Sequence, residues 1–160
     1  MAKGKGLSPM DYAMSYLTAR DRTVFEMQTY LDGKEFGEAD VEATVGRLQE
    51  LGLLNDRRFA AQFVQTRLAT KPLSRAHLYR QLAEHHIDKE IIVEALAELP
   101  DETELENAVA VAEKFARQFA ALEPEKRRQR ILSRLQARGY GYDVCYKALD
   151  RALAALEEEA

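Results

Sequence analysis

Apolar positions along the chain fall into one recurring frame. Leu31, Phe36 and Val45 are spaced five and nine residues apart. Leu82, Ile87 and Leu96 repeat that spacing, and Leu135, Tyr140 and Leu149 repeat it again. The copies recur at intervals of 51 and 53 residues. The frame has a physical reading. A helix that closes in a Schellman turn sets an apolar residue at C3 against another at C″, five positions on, around a C′ residue of positive φ. The pairs Leu31/Phe36, Leu82/Ile87 and Leu135/Tyr140 fit, with Glu35, His86 and Gly139 at C′. A following amphipathic helix then returns Val45, Leu96 or Leu149 to a core.

Each copy also has a helix in front of it. DYAMSYLTAR (11–20) precedes the first and ELENAVAVAEKFARQFAAL (104–122) the third. The latter carries Val109, Ala112, Phe115, Ala116 and Phe119 on one face. DRRFAAQFVQTRLAT (56–70) precedes the second, with Phe59, Ala60, Phe63, Val64 and Leu68 on one face at helical spacing. The pattern predicts nine helices, over 10–20, 23–33, 38–51, 56–70, 74–85, 88–99, 102–121, 124–138 and 142–157. Thr23, Asp40 or Gly37, Asn55, Ser74, Asp88, Asp101 and Tyr142-Asp143 mark starts, and Pro72, Pro100 and Pro124 fall at boundaries. The expected fold is all-α: three tandem three-helix repeats in an elongated, curved array, over 10–54, 55–100 and 101–157, behind a flexible tail at 1–9. Units of about 50 residues are marginal alone, and stacking lets them share a core.

The stretch ELGLLNDRRFAAQF (50–63) joins the first two repeats. With Gly52 at C′, Leu48 and Leu53 form another Schellman pair. With Asn55 as N-cap, Leu54 and Phe59 stand at the N′ and N4 positions of a hydrophobic staple. Asp56 lies in the first turn, where a negative charge suits the helix dipole. Arg57 and Arg58 oppose that dipole, so either nearby carboxylates hold them or they face a partner.

The chain has 160 residues, 46% hydrophobic and 31% charged, with eight glycines and four prolines. This supports packed helical cores under a charged surface. No run reaches the roughly 18 apolar residues of a membrane span, and the N-terminus lacks a signal-peptide h-region. A single cysteine, Cys145, excludes an intramolecular disulfide framework and fits a reducing cytoplasm. In frame it corresponds to Ile92 and Val41, which makes it a core thiol. The net charge of −4 argues against a protein whose main task is coating nucleic acid. Its distribution is uneven: residues 55–100 are net +1, against −3 before them and −2 after.

No phosphate loop, dinucleotide fingerprint or zinc motif is present. His77, His85 and His86 have no second ligand cluster at metal spacing, so neither catalysis nor a cofactor is expected. The candidate chemistry is electrostatic. In EPEKRRQRILSRLQARGY (123–140), Arg127, Arg130, Arg134 and Arg138 fall within an arc of about 80° on a helix. Such a stripe can meet phosphates or an acidic protein surface, or it can be a solvated face balanced by Glu123, Glu125 and Glu157–Glu159. A looser cluster, Arg67, Lys71, Arg75 and Arg80, flanks Pro72.

The run GLLNDRRFAAQFVQTR (52–67) closely resembles the signature of the RecX family, regulators of the bacterial RecA recombinase. Gly52, Leu53, Leu54, Asn55, Asp56, Phe59 and Ala60 fit the family's "G-hydrophobic-hydrophobic-[DN]-D-x-x-[FY]-A" run. Leu135, Arg138, Gly139 and Tyr140 match its late "L-x-x-[RK]-G-[FY]" element, and Ala13, Tyr16 and Leu17 its early "A-x-x-Y-L". The resemblance covers roughly 10–155 and departs at HHI (85–87), where the family usually has glycine before the apolar residue. It implies three three-helix repeats and no catalysis. It also implies binding in the groove of the RecA filament on single-stranded DNA, with inhibition of ATP hydrolysis, strand exchange and co-protease activity by blocked extension or disassembly. The roles that follow lie in homologous recombination, DNA repair and the SOS response, for a cytoplasmic monomer. Arg57, Arg58, Arg67, Lys71, Arg75, Arg127, Arg130, Arg134 and Arg138 are the expected partner-binding residues, with direct DNA contact left open. Two other readings stand beside this one: a DNA-binding helical protein acting alone, and a generic helical adaptor.

Overall fold

A computed structural model describes residues 6–159. Residues 1–5 of the expected tail at 1–9 lie outside them. The described residues form nine α-helices and no strand. They are α1 (Pro9–Leu17), α2 (Val24–Gly33), α3 (Glu38–Glu50), α4 (Asp56–Thr70), α5 (Arg75–Glu84), α6 (Lys89–Ala97), α7 (Asp101–Gln118), α8 (Pro124–Ala137) and α9 (Tyr142–Glu159).

The helix starts follow from short polar side chains that accept from otherwise unpaired N–H groups. The Thr23 hydroxyl accepts from Glu26 N–H while the Glu26 carboxylate accepts from Thr23 N–H, a complete capping box. Ser8 and Asp11 build the same box at α1, which the hydrophobic frame did not pick out. Asn55 Oδ1 accepts from Arg58 N–H at 3.0 Å and caps α4. Gly37, the second of the two residues expected at the start of α3, is its N-cap.

The helix ends follow the Schellman reading. Glu35 (φ 66°), Gly52 (φ 74°), His86 (φ 58°) and Gly139 (φ 93°) all sit in the left-handed region. In three of the four turns both diagnostic bonds form. Leu53 and Gly52 N–H donate to Leu48 and Gln49 carbonyls, Ile87 and His86 to Leu82 and Ala83, and Tyr140 and Gly139 to Leu135 and Gln136. One detail of the Leu-Leu seam differs from expectation. Leu54 is buried, but Leu53 keeps 37% of its surface in water. The Leu53 N–H closes the turn, and the Leu54 side chain joins the core.

The chain divides into two compact units. One takes the described residues up to Phe63 together with Leu82–Ile92. Its core contains Ala13, Met27, Leu31, Val41, Val45, Leu48 and Leu54. Asp56 does more here than suit its own dipole: its Oδ1 accepts from Val24 N–H at 3.0 Å and so satisfies a first-turn donor of α2. Burial pushes the Asp56 carboxyl above its ordinary value, against the Val24 bond. His86 stacks on Phe25 with ring centroids 3.8 Å apart, and His85 lies against Phe59 and Phe63.

The other unit takes Val64–Gln81 and the chain from Val93 onward. Its core is built from α7, α8 and α9 around Val111, Phe115, Ile131, Leu135 and Leu149. Cys145 is fully buried there, its thiol aimed at the Tyr140 carbonyl 3.4 Å away and pushed up by burial.

Candidate partner-binding surface

The second unit holds its α4–α5 turn against its α8–α9 turn with a set of close contacts. The Ser74 hydroxyl accepts from His77 N–H at 3.1 Å, which caps α5, and donates to the Arg138 carbonyl. The Tyr140 hydroxyl donates to the Pro72 carbonyl at 3.0 Å. Burial, followed by the nearby Glu104 charge, pushes the Tyr140 phenol far above its ordinary value, so it stays a donor. Gly139 fits without room to spare: a Cβ there would lie 2.9 Å from both Ala76 Cβ and Ser74 Oγ.

This clamp brings together residues that the sequence placed in separate clusters. Arg67, Lys71 and Arg80 from one and Arg138 from the other line a single cleft of about 420 Å³, with His77 and Gln81. No acidic side chain lines it. From Arg138 the cationic row continues along α8. Arg138 lies 5.1 Å from the ring centre of Phe115, Arg134 5.7 Å from Phe115, and Arg130 5.9 Å from Phe119. The two rings stack on each other and are themselves buried. Each cation–π contact is worth on the order of 0.5–1 kcal/mol at an exposed site, enough to orient a guanidinium without removing it from solvent. Arg130, Arg134 and Arg138 are exposed.

Not every expected site residue belongs to this surface. Arg127 turns inward: its Nη2 donates to the Ala116 carbonyl at 3.0 Å in the last turn of α7. Arg75 does the same, with one Nη on Asp101 at 3.0 Å and the other on the Leu99 carbonyl. Its N–H donates to Glu104 at 3.0 Å, and burial pushes the Glu104 carboxyl above its ordinary value. In the first unit, Arg58 donates to the Gly52 carbonyl at 2.8 Å and lies 3.7 Å from Asp21, so carboxylate and carbonyl both hold it. Arg57 is exposed and lines a separate cleft with Phe25, His86, Asp56 and Asp88. Of the acids expected to balance the α8 stripe, Glu159 is engaged elsewhere, paired with Arg117 at 3.0 Å.

The sequence reading included Arg67, Lys71 and Arg138 but left His77 and Gln81 out of the surface. Both stand in α5 at the i+3 and i+7 positions from Ser74, and that spacing was the available signal. Among the described residues no group of three or more His, Cys, Asp or Glu could hold a metal, and no helix is long and apolar enough to cross a membrane.

Comparison with known proteins places three matches end to end. Residues 10–48 match the first three-helix domain of RecX, 55–96 the second and 102–149 the third. A regulatory protein RecX of Amycolatopsis mediterranei is 30% identical over 86% of this chain and 78% of its own length. Those of Bacillus pumilus and Bacillus subtilis are each 31% identical, over 92% and 87% of this chain. The chain spans about half the length of these two Bacillus relatives, 56% and 53%. The solved RecX of Lactobacillus salivarius superposes with a TM-score of 0.86 at 24% identity, over 90% of this chain and 94% of its own. A likeness at that identity speaks for the fold.

Proposed function

The chain belongs to the RecX family, a family of regulatory proteins and not of enzymes, and from that premise we propose that it restrains a RecA-type recombinase. It binds the filament that the recombinase forms on single-stranded DNA. It lowers ATP hydrolysis, strand exchange and co-protease activity by blocking filament extension or promoting disassembly. One observation carries the reading: all three three-helix domains of the family follow one another between residues 10 and 149. The cationic row of α8 supplies the contact. Arg130, Arg134 and Arg138 are oriented by Phe115 and Phe119 yet remain in water, where they can meet an acidic filament surface. Arg75, Arg127 and Arg58 act in the same reading as struts, since their guanidiniums close helix ends.

The test is ATP hydrolysis by the cognate recombinase on single-stranded DNA with the protein added, read beside filament length by electron microscopy. Slower hydrolysis with shorter filaments is expected. Unchanged hydrolysis together with no protein on the filaments overturns the proposal.

A further inference from the structure

The cleft of the second unit has a composition that the filament reading does not require. Four cationic residues, Arg67, Lys71, Arg80 and Arg138, line about 420 Å³ with no carboxylate in the lining. Like charges around one cleft repel one another. A compact ligand of several negative charges relieves the repulsion. Guanidinium forks suit phosphate, two of whose oxygens each accept one of two parallel N–H donors. Gln81 adds a second demand: its Oε1 lies buried with no hydrogen-bond partner, and Gln81 lines the same cleft. A buried acceptor without a donor is unfavourable. A ligand that carries amino or hydroxyl donors next to its phosphates satisfies both demands at once, and a nucleotide is such a ligand.

We propose that this cleft is a nucleotide-phosphate site. It takes the clustered phosphates of a nucleotide, supplied either free, as a nucleoside triphosphate, or within a single strand laid along Arg138, Arg134 and Arg130. Those arginines recur every four residues, a rise of about 6 Å on the helix, so they track a linear polyanion leading to the cleft. The rings beneath them are buried, at 6% and 9% exposure for Phe115 and Phe119, so they cannot stack bases. Recognition is therefore of phosphate and indifferent to sequence.

The probes are ATP, inorganic tripolyphosphate and a fluorescein-labelled oligothymidylate, each titrated against the full chain at low salt. The double variant Lys71→Glu/Arg80→Glu alters only cleft-lining cations. Arg151→Glu, exposed on α9 and outside the cleft lining, changes charge elsewhere. Circular dichroism confirms that both remain folded. Binding of ATP or tripolyphosphate that weakens at least tenfold in the double variant and less than twofold in R151E supports a site for free nucleotides. Binding confined to the oligonucleotide, with the same variant pattern and a salt slope implying three or four phosphates, supports the strand as the source. No binding of any probe, or equal losses in both variants, overturns the proposal. Filament co-sedimentation runs as a separate readout. A wild type that binds phosphate but leaves the recombinase untouched defeats the filament reading alone.

Discussion

Two glycines close helices in the left-handed region, and only one of them has neighbours. Gly52 (φ 74°) faces open space, whereas a Cβ at Gly139 (φ 93°) would meet Ala76 and Ser74 at 2.9 Å. Substituting alanine at either position imposes the left-handed penalty of about 1–2 kcal/mol. The smaller conformational freedom of the unfolded chain returns about 0.4–1 kcal/mol. Gly52→Ala should therefore destabilise by about 1 kcal/mol. Gly139→Ala adds overpacking of about 1–3 kcal/mol, because both clashing atoms belong to short, buried or helix-fixed side chains and not to flexible ends. Its total is about 2–4 kcal/mol. For a chain of this size, each kcal/mol lowers the melting temperature by about 2–4 °C. Thermal and urea unfolding followed at 222 nm should place Gly52→Ala a few degrees below wild type and Gly139→Ala clearly below both. If the two variants agree within about 0.5 kcal/mol, the close approach of the two turns is wrong, and with it the cleft they frame.

Ser74→Ala removes the α5 cap and leaves the Arg138 carbonyl without its donor; a loss of about 1–3 kcal/mol is expected by urea unfolding. Glu104 gives a pH signature. Its folded pKa is raised by burial, so the native state binds the proton first as pH falls, and wild type should gain stability relative to Glu104→Gln between neutral pH and the ordinary carboxylate range. Parallel curves across that window refute the burial argument. Arg130→Glu/Arg134→Glu should reduce inhibition of recombinase ATP hydrolysis at least fivefold with little change in melting temperature, and undiminished inhibition makes the row a solvated face.

Much of the fold was legible because helix ends are local events. A leucine and an apolar residue five positions later located the turns even where Glu35 and His86, not glycine, occupy the left-handed position. Caps at Thr23, Asn55 and Ser74 were legible for the same reason. The site was legible only by residue type. A helical wheel puts Arg127 beside Arg130 and Arg134, but it does not show that the last turn of α7 offers an unpaired Ala116 carbonyl within reach. Arg75 and Arg58 went to orphan carbonyls in the same way. The meeting of Arg138 with Arg67, Lys71 and Arg80 depends on a tertiary contact across some sixty residues, which no periodicity in one chain encodes.

The Ser74 hydroxyl has one proton, and it gives that proton to a carbonyl 64 residues away. The Tyr140 hydroxyl closes a loop of 68 in the opposite direction. Both bonds close long loops, which carry an entropic cost and slow the step that forms them. The second unit should therefore acquire its helices early and its cleft late, in the step that passes the folding barrier or after it. A partially folded chain would expose its arginines as loose cations with no common geometry. Ligand binding at that cleft would then report the completion of folding and not merely the presence of helix.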